Sequence, residues 1–151
     1  MHLDELTHLG LIYPELPGSD VHTVLRAFAD RLQGTGTVND PDDLYRRLYE
    51  REELASTGLG DGVAIPHCKL GGLDDVVLSI GINRRGAEFG AVDKKPVHLF
   101  FLIISPDGKP GAHLQALSAV SKWLKVDDHV PRILEMTEPQ AIFELLRIES
   151  S

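Results

Sequence analysis

The spacing of apolar positions changes along this chain, and each change marks an element. Val21, Val24, Leu25, Phe28, Ala29 and Leu32 recur at intervals of three and four. That period predicts a first helix, capped by Ser19 and closed by Gly34 and Gly36. Asp40-Pro41-Asp42-Asp43 reads as a second helix start, with an aspartate cap, a proline at the first helical position and acids against the positive end of the dipole. This helix is predicted to run through Leu44 and Leu48 to about Glu53. Val63 to Ile65 is a short apolar run that stops at Pro66-His67, so it predicts a short strand with an imidazole at its tip. The proline fixes its own φ and pushes Ile65 toward extended geometry.

Residues 75–82 alternate, with Val76, Leu78, Ile80 and Ile82 on one face, and predict a longer strand. Val97 to Ile104 is almost wholly apolar, as expected of a strand covered on both sides. A third helix is predicted to open near Gly111 and to bury Leu114, Leu117, Val120 and Leu124. Thr137-Glu138-Pro139-Gln140 offers a capping box for a last helix bearing Ile142, Leu145 and Leu146. Helices alternating with strands predict an α/β (α+β) fold, a three-layer sandwich with helices on both faces of one sheet, in a single domain over residues 1–151.

Composition narrows the function classes. At 151 residues the chain can bury a real core, and its 42% hydrophobic and 25% charged content fits an ordinary globular domain. A formal net charge of -8, with no basic run, argues against a nucleic-acid role, because a phosphate backbone needs a clustered basic face. One cysteine leaves no internal disulfide and suits a reducing compartment. The first residues lack a signal-peptide pattern, and the longest apolar run, Leu99 to Ile104, is far too short to span a bilayer. The expectation is a cytoplasmic protein without membrane insertion.

Three polar residues beside glycine-rich turns call for a joint explanation: Arg51 at the end of the second helix, His67 after the short strand, and His113 early in the third helix. An imidazole is substantially unprotonated and nucleophilic at neutral pH. Its phosphorylated form gains nearly two negative charges, which a second imidazole, a guanidinium and helix N-terminal N–H groups can balance. Taken singly, each has a plainer reading. His67 reads as a loop histidine, His113 as a helix cap or hydrogen-bonded core residue, and Arg51 as half of a surface pair with Glu50 or Glu53. The histidines at 2, 8, 22, 98 and 129 carry no motif and read as structural or exposed, with His98 a hydrogen-bonded core residue.

Arg51-Glu52-x-Leu54-x-Ser56-Thr57-x-Leu59-Gly60-x-Gly62-x-Ala64-Ile65-Pro66-His67 resembles the signature of enzyme IIA domains of the bacterial phosphoenolpyruvate-dependent sugar phosphotransferase system, in the fructose, mannitol and nitrogen-regulatory (type 2) class. Lys95-Pro96-Val97-His98-Leu99-Phe100-Phe101-Leu102-Ile103-Ile104, followed by His113-Leu114-x-Ala116-Leu117, resembles the second region of that class, and the intervals between the arginine and the two histidines agree as well. The resemblance implies a mixed sheet of about five strands and a phosphocarrier. His67 would accept a phosphoryl group from a histidine-phosphorylated small carrier protein (HPr-like), then pass it on or hold it as a regulatory mark. The acceptor or reader would be a IIB domain or a regulatory target. The same resemblance makes His113 the stabiliser and Arg51 the electrostatic support, places Thr57, Gly58, Cys68 and Phe89 around the pocket, and calls for no metal or other cofactor. Cys68 departs from the glycine common after the active histidine. It reads either as a small semi-buried side chain tolerated by the turn or as a reactive thiol beside His67 and Lys69.

Within the class, the Pro96 to Ile104 block and the Ile65-Pro66-His67 spelling resemble the nitrogen-regulatory group more than mannitol-specific domains. A stand-alone regulator is therefore the first expectation and a sugar-specific transport component the alternative. Two readings of other kinds compete. One is a binding domain that no longer takes phosphate. The other is a metal-dependent hydrolase using His67, His113 and Asp61 or Asp93, which lacks the short-spaced ligand pairs of H-E-x-x-H or C-x-x-C sites.

Overall fold

The computed structural model describes residues 1–149. Two 3-10 turns, Leu3–Leu6 and Leu9–Leu11, lead into strand β1 (Ile12–Tyr13), followed by helices α1 (Val21–Gly34) and α2 (Pro41–Leu54). Strands β2 (Gly58–Gly60), β3 (Val63–Ala64), β4 (His67–Leu70), β5 (Val77–Ala87) and β6 (Val97–Pro106) come next. Helices α3 (Pro110–Leu124), α4 (His129–Leu134) and α5 (Pro139–Glu149) complete the described chain.

The sheet is mixed and has six strands in the order β1-β5-β6-β3-β2, with β4 also paired to β6. β5 and β6 are antiparallel, whereas β1 runs parallel to β5, and both β3 and β4 run parallel to β6. The expected five positions across the sheet are all present, because β3 and β4 share one of them. Ala64 lies opposite Phe100 and His67 opposite Ile103, so the register passes through Ile65-Pro66 without a slip. Proline has no N–H to give to a ladder, and that interrupts the strand. The Pro66 carbonyl still accepts from Ile103 N–H at 2.9 Å. The structure thus corrects the sequence reading: His67 opens a second strand segment instead of ending the first.

Alternation along β6 explains its unbroken apolar run. Phe100, Leu102 and Ile104 face a core built with Val24, Leu25, Phe28, Leu32, Leu44 and Leu48 of α1 and α2. Leu99, Phe101 and Ile103 face the opposite core, with Leu78, Ile80 and Ile82 of β5 and Ala116, Val120, Ile133 and Leu145 from α3, α4 and α5. Every side chain from Leu99 to Ile104 is fully buried. The layers are therefore helix, sheet, helix, as the alternating pattern predicts.

Two helix details differ from the sequence reading. Asp20, not Ser19, caps α1: its carboxylate accepts from Thr23 N–H at 2.9 Å, and the Thr23 hydroxyl in turn accepts the Asp20 N–H. On α3 the buried stripe is His113, Ala116, Val120 and Trp123, and Leu114 is 67% exposed.

Candidate active site

Two helices and one strand segment carry the three polar residues to one place. The last turn of α2 supplies Arg51, the first residue of β4 is His67, and the first turn of α3 supplies His113. The His67 and His113 ring centroids lie 5.5 Å apart, tilted by 52°. Arg51 Nε donates to His67 Nε2 at 3.3 Å, and its Nη1 donates to the Ala55 carbonyl at 2.8 Å. The surface pair with Glu50 or Glu53 does not form. Glu50 instead accepts from Arg46. The side chains line an open depression of about 570 Å³, together with Arg47, Glu50, Leu54, Cys68 and Lys69.

Hydrogen-bond partners assign the protons. His67 Nδ1 lies 2.8 Å from the Ile65 carbonyl, which can only accept, so Nδ1 carries the hydrogen. Nε2 then holds a lone pair, consistent with its accepting from Arg51. His113 Nδ1 lies 2.6 Å from Ser105 Oγ, and Ser105 is fully buried. If the imidazole donated there, the hydroxyl hydrogen would be buried without an acceptor, so Ser105 donates and His113 keeps its hydrogen on Nε2. The two rings are therefore opposite tautomers, one presenting a lone pair and the other an N–H.

Both rings are neutral at physiological pH. Burial first, and the Arg51 charge with it, lower the His67 pKa from the ordinary 6.5, against the opposing pull of the Ile65 carbonyl. Burial likewise lowers His113, helped by His67 and Lys69. The Cys68 thiol is pushed up to about 12, mainly by burial. It packs into the core shared with α1 and α2, opposite Ile104, and so resolves as a space-filling side chain rather than a reactive thiol.

The other pocket expectations place differently. Phe89 is 1% exposed and packs edge-on against Phe100, with ring centroids 5.1 Å apart, so it is core and not rim. Gly58 is a close-packing position, since a Cβ there would come within 2.8 Å of Ala91. Thr57 is buried behind the site, where its carbonyl accepts from Ile65 N–H at 3.1 Å. None of the three lines the depression. Asp61 and Asp93, considered as metal ligands, bond to each other through Asp61 N–H and Asp93 Oδ2 at 3.0 Å and do not line it either. Sequence reasoning missed Ser105. Its signal was a lone hydroxyl directly after the apolar run of β6.

The domain thus sets a lone-pair imidazole beside a donor imidazole and a guanidinium, an arrangement that can receive and balance an anionic group. The chain belongs to the family described as phosphoenolpyruvate-dependent sugar phosphotransferase system, EIIA 2, which matches residues 5–148. It is 33% identical over 144 residues to a fructose-specific EIIA component of that system from Haloferax volcanii, covering 95% of this chain and 94% of the relative. It is 28% identical over 146 residues to the fructose-specific EIIABC component of Bacillus subtilis, covering 97% of this chain but only 23% of that longer protein. The crystal structure of nitrogen regulatory protein IIA-Ntr from Neisseria meningitidis superposes with a TM-score of 0.86 at 26% identity, covering 95% of this chain and 97% of the other. Proteins of this family are phosphotransfer components. Among the described residues, no helix is long and apolar enough to cross a membrane.

Proposed function

We propose that His67 Nε2 accepts a phosphoryl group from a histidine-phosphorylated carrier protein. The reading rests on one observation: Nε2 is a lone-pair nitrogen, fixed as such by the Nδ1–H bond to Ile65. The new N–P bond forms at Nε2 as the donor's N–P bond breaks, and the electron pair of the broken bond stays on the donor's imidazole. The attacking atom carries no proton, so the step needs no general base. The ring gains positive charge as the bond forms, and the Ile65 carbonyl supports it through Nδ1–H. Arg51 swings from Nε2 to the phosphoryl oxygens and His113 Nε2–H donates to them, which supplies the charge balance that a loose phosphoryl transition state requires. Neither metal nor nucleotide enters the step, because the donor is already an activated phosphoramidate.

The phosphoryl group then serves as a regulatory mark or passes to a IIB domain. Likeness to the IIA-Ntr structure supports the regulatory use. Identity to fructose-specific EIIA supports transport, so both enter the test. Incubation with a phosphorylated carrier protein should give an acid-labile, base-stable adduct on His67. His67→Ala should abolish it and His113→Ala should slow its formation. A IIB domain that discharges the adduct marks a transport component, and a protein captured differently by the modified and unmodified chain marks a regulator. An adduct elsewhere, or uptake by His67→Ala equal to wild type, overturns the assignment, and a chain that binds partners without any adduct is a binding domain only.

A further inference from the structure

Glu52 stands at the wrong end of its helix. It lies in the last turn of α2, where the dipole disfavours an anion, and burial raises its pKa. Such a breach of local preference marks a functional position more often than a stabilising one. Its carboxylate is held by a single residue, Thr57, whose N–H donates at 2.9 Å and whose hydroxyl donates as well.

From the loop so held, two routes reach the two nitrogens of His67, one starting at Thr57 itself and one at Ala55, two residues before it. Along one, the Thr57 carbonyl accepts from Ile65 N–H, and the Ile65 carbonyl accepts from His67 Nδ1–H. Along the other, the Ala55 carbonyl anchors Arg51 Nη1, and Arg51 Nε donates to His67 Nε2. Ala55 and Thr57 belong to one loop that leaves α2 abruptly, since Ala55 is already extended at φ −171 and ψ 141. Ser56 ties that loop to Phe89 on its far side. Glu52 ties it to the helical turn that carries Arg51.

We propose that Glu52 is a positioning residue for phosphoryl transfer: through Thr57 and residues 55–57 its carboxylate sets both hydrogen-bond partners of the His67 ring. This rests on His67 being the acceptor. Two effects follow. The clamp fixes the tautomer that leaves Nε2 unprotonated, and it fixes where Arg51 waits before the phosphoryl group arrives. An amide at position 52 can still accept the Thr57 N–H but can no longer accept the hydroxyl hydrogen, so it removes the charge and reverses one bond while keeping size and fold.

The experiment uses the full chain as Glu52→Gln, Thr57→Val and Thr57→Ser. Nitrogen NMR of the His67 ring reports the tautomer, and the initial rate of uptake from a phosphorylated carrier protein is measured across pH. Wild type should show hydrogen on Nδ1 alone. Glu52→Gln and Thr57→Val should each give a tautomer mixture and slow uptake roughly ten- to a hundred-fold, the scale of a small misplacement of reacting groups. Thr57→Ser, which keeps both donors, should restore both readouts, and the double variant should be no slower than either single one. An unmoved tautomer in Glu52→Gln, or a rate loss that merely tracks the unfolded fraction, overturns the proposal. If Glu52→Gln fails to fold, Thr57→Val carries the same test. If wild type takes no phosphoryl group on His67, the functional reading fails by itself, and the ring spectra still decide the clamp.

Discussion

At His67 the partner of Nδ1 is a carbonyl, and at His113 it is a buried hydroxyl. That difference leaves a lone pair on Nε2 of one ring and a hydrogen on Nε2 of the other. A carbonyl accepts only, so it fixes one tautomer. A hydroxyl with no other partner donates, so it fixes the other. The assignment at His113 therefore depends on Ser105, which lies outside the depression and touches nothing that reacts. Ser105→Ala removes the donor and leaves His113 free to exchange tautomers. A fraction of the molecules would then turn a bare nitrogen toward the depression. Uptake should slow, but by far less than the roughly hundredfold or more that outright loss of a positioned donor costs, because the correct tautomer is still populated. Melting should change little, because a small buried hydroxyl is lost together with one hydrogen bond worth about 1 kcal/mol. Stopped-flow phosphoryl transfer alongside urea denaturation separates the two, and a rate equal to wild type would show that the His113 tautomer is set by something else.

The elements show where sequence is a sufficient guide. β6 was legible because burial on both faces leaves Leu99 to Ile104 without a polar position to blur the pattern, and α2 was legible because Asp40, Pro41 and the acids after it all point to one start. Strand β1, with two residues, exists only through its pairing with β5, and α4 opens at His129 with no side-chain cap, so neither has a local signal. The offset at α1 came from two adjacent cap formers. Thr23, three residues beyond Asp20, decided between them. On α3 the apolar spacing suggested Leu114, but the buried stripe of Ala116, Val120 and Trp123 turns His113 inward onto Ser105. At the site, the structure brings together Arg51 and the two histidines that the motif resemblance had grouped, whereas Phe89 and Gly58 were misplaced because packing against Phe100 and Ala91 has no sequence signature. Two substitutions test this at the same scale. Phe101→Ala, in the face of β6 under Trp123, should cost about 3–5 kcal/mol. Leu114→Ala, one residue from the site, should stay within about 0.5 kcal/mol, as exposed positions do. Urea midpoints measure both, and a costly Leu114→Ala would contradict the exposure of that side chain.

For the whole molecule, the lowered pKa values of His67 and His113 link reactivity to stability. Both folded values lie below the ordinary 6.5, so between the folded values and 6.5 the unfolded chain binds protons that the folded chain does not. Stability therefore rises with pH through that window and is lost as pH falls from 6.5 toward the folded values. Above 6.5 the unfolded imidazoles also lose their protons, so the slope fades and is gone about a pH unit higher. Each histidine can contribute at most about 1.4 kcal/mol per pH unit inside the window. The same shift keeps Nε2 of His67 unprotonated further into acid than an ordinary imidazole, so phosphoryl uptake should fall with an apparent pKa below 6.5. Urea unfolding at pH 7.5, 6.5 and 5.5 should show a loss concentrated on the acid side. His67→Ala and His113→Ala should each flatten that loss, with a smaller effect on the difference between 7.5 and 6.5. The pairing is what makes the test strict: uptake that falls with an apparent pKa of 6.5 or above, or an acid slope untouched by either substitution, would mean that burial does not hold these rings neutral. A charged His67 ring could not accept the Arg51 Nε–H at Nε2.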